Sequence, residues 1–599
     1  MKSYIQILTT PTADTSGTIL LLHFDNKRYL IGNITEGTQR AIVQIGARVL
    51  KTNEIFMTGR AEWANMGGLI GMILTLADSS ASSAQSKEEE RKKGSKGFKQ
   101  NFNNVAAAEK TKFTIFGAPN LNYTLAAARR FVFRKGMPLE TREITDRDAT
   151  RDAAGAWLPT WFDDNIRLWS MAILPSRSGA EGVNDLSKGT VSPRKRSFDM
   201  LNGVESANGS YRDEQEKRSM CDQLTKSVVS AMFSSSWRLD SLVEMPLKEV
   251  QLPAALFVRD PETKETKRYA GPMPGGAQEI PDITVLVRRP WPGAQIADLP
   301  PTTPSMEAIS YVIRNHPQRG RFRPDRAIAL GVERGRNWNE LTNGRSVVNK
   351  DGMTITSDMV LEPGKQGGGV VIADLPTEDY VEAFVAREEL KSKDVMDGVG
   401  AFFWLLGPGV SSNPTLRRFM DEMKHLKHIV SSKDHCPNRL ALDSVASSTL
   451  RLRQIDPARY PTPIYDNDTV PQADPKTRGL TIDPLPAYAT VAERGQVLQL
   501  EPTFELQEHH IVPVLDTKAV IEETSGEVLQ LATAAQEAIN EDRQELDLWA
   551  NSIPNKDAEI IALGTGSALP SKYRNVSATL LRIPGAFIAH TSLPKSFKT

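Results

Sequence analysis

The residues whose types and spacing suit chemistry gather in two places, and neither is a familiar catalytic constellation. Ile560–Ser577, IIALGTGSALPSKYRNVS, reads as a strand, a Gly-rich turn and a loop carrying Pro570-x-Lys572-x-Arg574-Asn575. Gly564-x-Gly566 lacks the Gly-x-x-x-x-Gly-Lys-Ser/Thr spacing of a nucleotide-cradling loop, so the turn alone carries little. The second place is cationic. Arg314, Arg319, Arg321, Arg323, Arg326, Arg334, Arg336 and Arg345 oppose only Asp325, Glu333 and Glu340 within that stretch. A cationic protrusion on a neutral protein suits phosphate contacts, which arginine makes in bidentate form. Phe322 and Trp338 are available to stack or to pack against it. The alternative is an exposed charged hairpin with no ligand.

Metal chemistry has one candidate, His425-x-x-His428 with Asp434, His435 and Cys436. Two His at i and i+3 on a helix can share a metal. His428 opens the β-like run HIVSS, however, which turns it away from His425, so packing or surface roles are expected. His509 and His510 are adjacent and point different ways on regular structure. No Ser-His-Asp arrangement rises above chance among eight scattered histidines. Cys221 and Cys436 are too few for a disulfide framework or a thiolate zinc site, which points to an intracellular, reducing location.

These residues need elements to hold them. At 599 residues, with 40% apolar and 24% charged side chains, the chain has material for two to four folded domains. Acidic and basic residues cancel, 73 against 73, so a nucleic-acid surface has to be a local patch. The longest apolar stretch, around Gly67–Ala77, is too short to span a bilayer, and the N-terminus lacks the basic n-region of a signal peptide. Strands are expected at Thr18–Phe24, Arg28–Ile31 and Asn53–Thr58, with helices at Glu36–Val49 and Met66–Leu76. Order breaks at 78–112, Ser-rich and then densely charged, and again at 176–222, both expected to be disordered insertions. The second contains Ser192-Pro193-Arg194-Lys195-Arg196, either a nuclear-localisation signal or a solvated loop. Beyond it, 223–308 is β- and turn-rich, and Val370–Ile372, Ala401–Leu406 and His428–Ser431 have the composition of buried strands. Residues 466–480 resemble a linker, and Glu527–Trp549 reads as one amphipathic helix with Val528, Leu531, Ala535 and Ile539 on one stripe.

Two segments look like copies of one fold: Tyr29–Gly71, and the start at Glu559. Together they resemble the fungal-like long form of tRNase Z (ribonuclease Z), in which two metallo-β-lactamase domains share a chain and only the second keeps its metal site. Glu36, Gly37, Gln39 and Arg40 fit that family's Gly-Glu-Gly-x-Gln-Arg motif, with Thr35 in place of the first Gly. Where the family's metal motif His-x-His-x-Asp-His belongs, the chain has Gly59-Arg60-Ala61-Glu62-Trp63-Ala64. Gly59, Ala61 and Ala64 stand at the His positions and Trp63 at the Asp position, so none can bind zinc. Asp374 falls where the fold often keeps a bridging carboxylate and, without His partners, reads as a turn residue. Residues 309–369 look like the family's flexible arm, which grips the tRNA elbow; where some arms carry Gly-Pro, this chain has Arg334-Gly335-Arg336.

The resemblance implies an α/β fold, an αββα metallo-β-lactamase-like sandwich over 1–475 with a protruding arm. A linker and helix over 476–556 follow, then the truncated start of the catalytic domain over 557–599. It implies tRNA 3′-end processing by endonucleolytic removal of the trailer from precursor tRNA. Pro570, Lys572, Arg574 and Asn575 would form the loop near the RNA 3′ end: Lys572 and Arg574 holding phosphate or base edges, Asn575 hydrogen-bonding, Pro570 stiffening. After about Leu581 the tail departs from the family pattern, so no catalytic residue and no metal ligand is expected in this chain. Zinc is expected only in the complete enzyme. The implied partners are precursor tRNA and a complete catalytic domain, in a monomer, in the nucleus, the mitochondrion or both. The alternative is a non-catalytic RNA-binding or regulatory protein on a dead scaffold.

Overall fold

The computed structural model describes the chain apart from residues 1, 80–111, 131, 133–136, 177–210, 235–241, 251, 253, 261–264, 277, 289–297, 318–319, 365, 468–481, 567–569, 584–585 and 592–599. Two mixed sheets face one another. The first has eight strands, in the order Glu505–Gln507, Val497–Glu501, Ser3–Thr9, Ile19–Phe24, Arg28–Gly32, Thr52–Met57, Phe113–Gly117 and Leu139–Glu143. The second has seven, in the order Ala489–Val491, Lys427–Ser432, Val399–Leu406, Gly369–Leu375, Ala308–Asn315, Ile166–Ile173 and Trp161–Phe162.

Alternation along each strand sorts side chains into layers. In Ala308–Asn315, Ile309, Tyr311 and Ile313 join the core between the sheets, while Ala308 and Val312 face outward. In Val399–Leu406, Ala401, Phe403 and Leu405 point in, while Phe402, Trp404 and Leu406 point out. Helix Pro414–Glu422 covers that outer face with Leu416, Phe419 and Met420. Its start is fixed by Asn413, whose side-chain oxygen accepts from the amides of Thr415 and Leu416, with Pro414 at the first helical position. Across the molecule, Ile42, Leu69, Ile73, Leu121, Leu125, Val229 and Phe233 cover the outer face of the first sheet. The result is four layers, helix–sheet–sheet–helix.

Several expected elements shift, each for a local reason. The helix expected at Glu36–Val49 is shorter, Thr38–Gln44, and is followed by Gly46 at φ 68°. The one expected at Met66–Leu76 is broken: Trp63–Met66 is separated from a helical stretch at 69–79 by Gly67-Gly68. Gly68 passes so close to the Thr35 carbonyl that a Cβ there would lie 2.1 Å from its oxygen. Glu527–Trp549 is two helices, Gly526–Glu541 and Arg543–Ser552, meeting at Asp542.

The expected end of the first domain at 475 is too early. Ala489–Val491 pairs with Lys427–Ser432 and Val497–Glu501 pairs with Ser3–Thr9, so residues assigned to a linker complete both sheets. The expected insertion 78–112 lies almost wholly outside the described residues, as do 177–210 and the cluster Ser192–Arg196. The segment expected to run to 222 contains the start of helix Tyr211–Ser234, which buries Val228, Val229, Met232 and Phe233. Within 223–308 a separate four-stranded sheet forms around Leu247, Val250, Leu256, Val285 and Val287. Among the described residues no helix is long and apolar enough to cross a membrane.

Candidate functional site

Thr58 follows a strand whose Phe56 points between the sheets, so period 2 turns Thr58 inward as well. Opposite it stands Asp374. The turn expected there is in fact the strand Gly369–Leu375, where Val370 and Ile372 point inward and Asp374 follows them. Asp374 is 5% exposed. Its Oδ2 accepts from Thr58 Oγ1 at 2.7 Å and from Asn33 Nδ2 at 3.1 Å, while its amide donates to Ser310 Oγ at 3.1 Å. Burial pushes the carboxyl up to about 6 against the pull of these two side-chain bonds and of Arg60.

Of the four worn metal positions Gly59 abuts this carboxylate, and none supplies a ligand. Gly59 bridges the sheets, its amide donating to the Ile309 carbonyl at 3.0 Å and its carbonyl accepting from the Ile309 amide at 3.1 Å. A Cβ on Gly59 would sit 2.9 Å from Asp374 Oδ2 and 2.9 Å from Asn65 Nδ2. Ala61 and Ala64 offer no donor atom, and Trp63 turns outward, 68% exposed. The residues present therefore do not fit zinc. The cradle is closed by hydrogen bonds and glycine contacts, and no chemical step is derived through a metal here.

The histidine candidates separate in the same way. His428 is buried, accepting at Nδ1 from Trp404 Nε1 at 3.0 Å and donating from Nε2 to the Met423 carbonyl at 3.0 Å. Its ring stacks with Phe402 and Trp404, and burial lowers its pKa. His435 Nε2 is 2.8 Å from Ser411 Oγ, Asp434 accepts from the Gly409 amide, and Cys436 is buried with its thiol pushed up to about 11. His509 and His510 lie in a turn with ring centroids 4.0 Å apart, so they do not diverge as regular structure would make them. No group of three potential metal ligands occurs among the described residues.

The arm is smaller and less cationic than a linear window suggests. Residues 309–315 and 369 are core strands, so the projecting part lies between Asn315 and Gly369. Arg314, expected among the arm's RNA-facing cations, is instead 2% exposed, and its guanidinium donates to the Asp394 carbonyl at 2.7 Å, the Val395 carbonyl at 3.2 Å and Gln366 Oε1 at 3.1 Å. It anchors the root of the arm and cannot reach RNA. Asn315 Nδ2 donates to Ser3 Oγ at 2.8 Å and His316 Nε2 to the Asp163 carbonyl at 2.5 Å, tying the root to both sheets.

Beyond the root the arm has its own core of Ala327, Val332, Leu341, Ile355 and Val360, with Phe322 and Trp338 packed on it 5.2 Å apart. Those rings are therefore partly spent on packing. Residues 321–362 hold seven basic side chains against six acidic, because Asp351, Asp358 and Glu362 join Asp325, Glu333 and Glu340. Arg323 pairs with Asp325 and Glu362, and Arg336 and Arg345 share Glu340. Arg321, Arg326 and Arg334 are exposed and have no acidic partner among the described residues, although Arg334 lies over the Trp338 ring. Arg319 lies outside the described residues.

Pro570–Asn575 follows the strand Glu559–Gly564 and precedes Ala578–Ile583 in a three-stranded sheet. The Ser571 amide donates to the Arg574 carbonyl at 2.9 Å, and the Gly566 amide to the Asn575 carbonyl at 2.7 Å. Asn575 Oδ1 is spent inside the loop, accepting from the Val576 amide at 3.0 Å. Lys572 Nζ lies 4.9 Å from the Tyr573 ring centroid, and Arg574 is exposed. One contact was not foreseen: Arg40 Nε donates to the Ser571 carbonyl at 3.4 Å.

Two facing mixed sheets with helices outside, and a rim where an inward Asp meets the end of a first-sheet strand, define a metallo-β-lactamase-like fold. More narrowly, the chain is similar to long-form ribonuclease Z along nearly its whole length. Residues 6–68 match the family described as tRNase Z endonuclease. Ribonuclease Z of Saccharomyces cerevisiae is 26% identical over 614 aligned residues, covering 98% of this chain and 59% of that protein. Ribonuclease Z 1 of Schizosaccharomyces pombe is 23% identical, covering 97% and 63%. The crystal structure of a long form RNase Z from yeast superimposes with a TM-score of 0.53 at 19% identity, covering 98% of this chain and 60% of that one. The chain thus spans about three fifths of the length of these relatives.

Proposed function

We propose that the chain is the arm-bearing, metal-free half of a long-form tRNase Z together with the opening strands of its catalytic half. In this reading it serves removal of the 3′ trailer from precursor tRNA by holding the RNA. Zinc and the hydrolytic water belong to the second half, in a monomer acting in the nucleus, the mitochondrion or both. The observation that carries the reading is the self-cored arm on a sandwich whose metal cradle is filled. Similarity to ribonuclease Z over 98% of the chain supports it. The reading also accounts for Leu531, Leu548 and Trp549, 65%, 74% and 64% exposed on the helices before the last sheet, which a second half would cover.

The arm supplies the test. Among the described residues, Arg321, Arg326 and Arg334 are the arm's arginines without an acidic partner, whereas Arg323 and Arg345 are already paired. Alanine at the first three is expected to weaken precursor tRNA binding by roughly 10- to 100-fold at 0.1 M salt. It should also flatten the slope of log K against log salt by about two to three. Arg314→Ala is expected to lower stability instead, because buried carbonyls lose their donor. Filter binding across a salt series checks this. A triple variant with an unaltered slope would mean that the arm does not touch phosphate.

A further inference from the structure

Arg40, on helix Thr38–Gln44, makes a long-range contact. Its Nε donates to the carbonyl of Ser571, 531 residues further along the chain. Arg40 is half-buried, and burial lowers its pKa, opposed by the charge of Asp14. Inside the loop the Ser571 amide already bonds the Arg574 carbonyl, and Ser571 Oγ accepts from the amides of Tyr573 and Arg574 at 3.3 and 3.1 Å. The Arg574 and Asn575 carbonyls accept from backbone amides, and the Ser571 carbonyl accepts from Arg40. A guanidinium is suited to this role because its planar fork is rigid and always charged.

We infer that Arg40 is a positioning residue through which the first sandwich holds the Pro570–Asn575 loop and fixes the direction in which Lys572 and Arg574 present their charges. The RNA consequence rests on the proposed function; the strut itself does not. The Glu36–Arg40 motif thereby has a use independent of metal: the first sandwich sets the geometry of the Pro570–Asn575 loop, for which the family resemblance implies a place near the RNA 3′ end.

The test has two readouts on the full chain. Hydrogen exchange of a peptide covering 570–577 reports whether the loop is held. Arg40→Ala is expected to speed exchange there by about tenfold, and Arg40→Lys, which keeps the charge and a donor, to restore a good part of the protection. Gln39→Ala, on the same helix and without a hydrogen bond to the loop among the described residues, should leave exchange unchanged. If Arg40→Ala leaves the peptide as protected as before, or if Gln39→Ala loosens it equally, the strut is wrong. Binding of a precursor tRNA with a short 3′ trailer is the second readout. Arg40→Ala is expected to weaken it about threefold to tenfold, with the arm intact. Faster exchange with unaltered RNA binding would keep the strut and overturn its role in RNA recognition.

Discussion

Asp374→Asn is expected to make the sandwich harder to unfold at pH 7.5, by about 1–2 kcal/mol. Burial raises the Asp374 carboxyl from its ordinary value to about 6, so the folded chain holds this proton more tightly than the unfolded chain does. The sign follows from linkage. Between about pH 4 and 6 the native state carries more proton than the unfolded one, so stability falls as pH rises through that window and then levels off. At neutral pH the ionised carboxylate costs up to roughly 3 kcal/mol, at about 1.4 kcal/mol per pH unit. Asparagine keeps an oxygen for Thr58 Oγ1 and Asn33 Nδ2, now bonded at 2.7 and 3.1 Å, and removes the charge. Denaturant midpoints at pH 4.5 and 7.5 check this: the parent should lose more stability between them than the variant does, the remainder coming from other buried carboxyls such as Glu54 and Glu143. Equal pH slopes in the two proteins would show that Asp374 is not the group responsible.

That carboxylate also shows what the sequence made legible and what it hid. The strands at Thr18–Phe24 and Arg28–Ile31 follow from local alternation, whereas the αββα sandwich and the reading of 59–64 as former metal positions rest on the resemblance to tRNase Z. Asp374 reads as a turn residue when judged by its lack of His partners, yet it lies in the strand Gly369–Leu375. The better signal was present: Val370, Ile372 and Asp374 alternate, which sends the carboxylate between the sheets. Charge along the chain places Arg314 with the arm's cations, but the strand it belongs to buries it. It ends the apolar run Ala308–Ile313, and as part of that strand it is enclosed at the arm's root. The same linear count missed Asp351, Asp358 and Glu362, of which Glu362 folds back beside Arg323. The contact from Arg40 to Ser571 joins residues too distant for any local pattern to relate. The break at Asp542 and the exposure of Leu548 and Trp549 were hidden for another reason: helical periodicity marks an apolar face without saying whether anything covers it.

Restoring histidines to the worn motif should not restore zinc, and the obstacle is Gly59. Its φ of 68° is in the left-handed region, where a side chain adds about 1 kcal/mol of strain or more. Its missing Cβ is also where the neighbours have closed in, with both Asp374 carboxylate oxygens and Asn65 Nδ2 within 3.0 Å of that point. Gly59 further holds both hydrogen bonds of the bridge to Ile309, so a shift of its backbone strains the junction of the two sheets. Gly59→Ala alone is therefore expected to lower stability by about 2–4 kcal/mol. Gly59→His combined with Ala61→His and Ala64→His should do at least as much harm and bind far less than one zinc per chain. Equilibrium dialysis gives the metal content, and denaturant unfolding of Gly59→Ala gives the strain. A triple variant that took up one tightly bound zinc without losing stability would mean that the cradle is still open. The expected outcome instead separates two ways for a metal site to die. Removing ligands alone leaves a cavity that point substitutions can refill. Here Asp374 has been taken over by Thr58 and Asn33, and the space beside it by Gly59 and Asn65, so the loss is built into the packing.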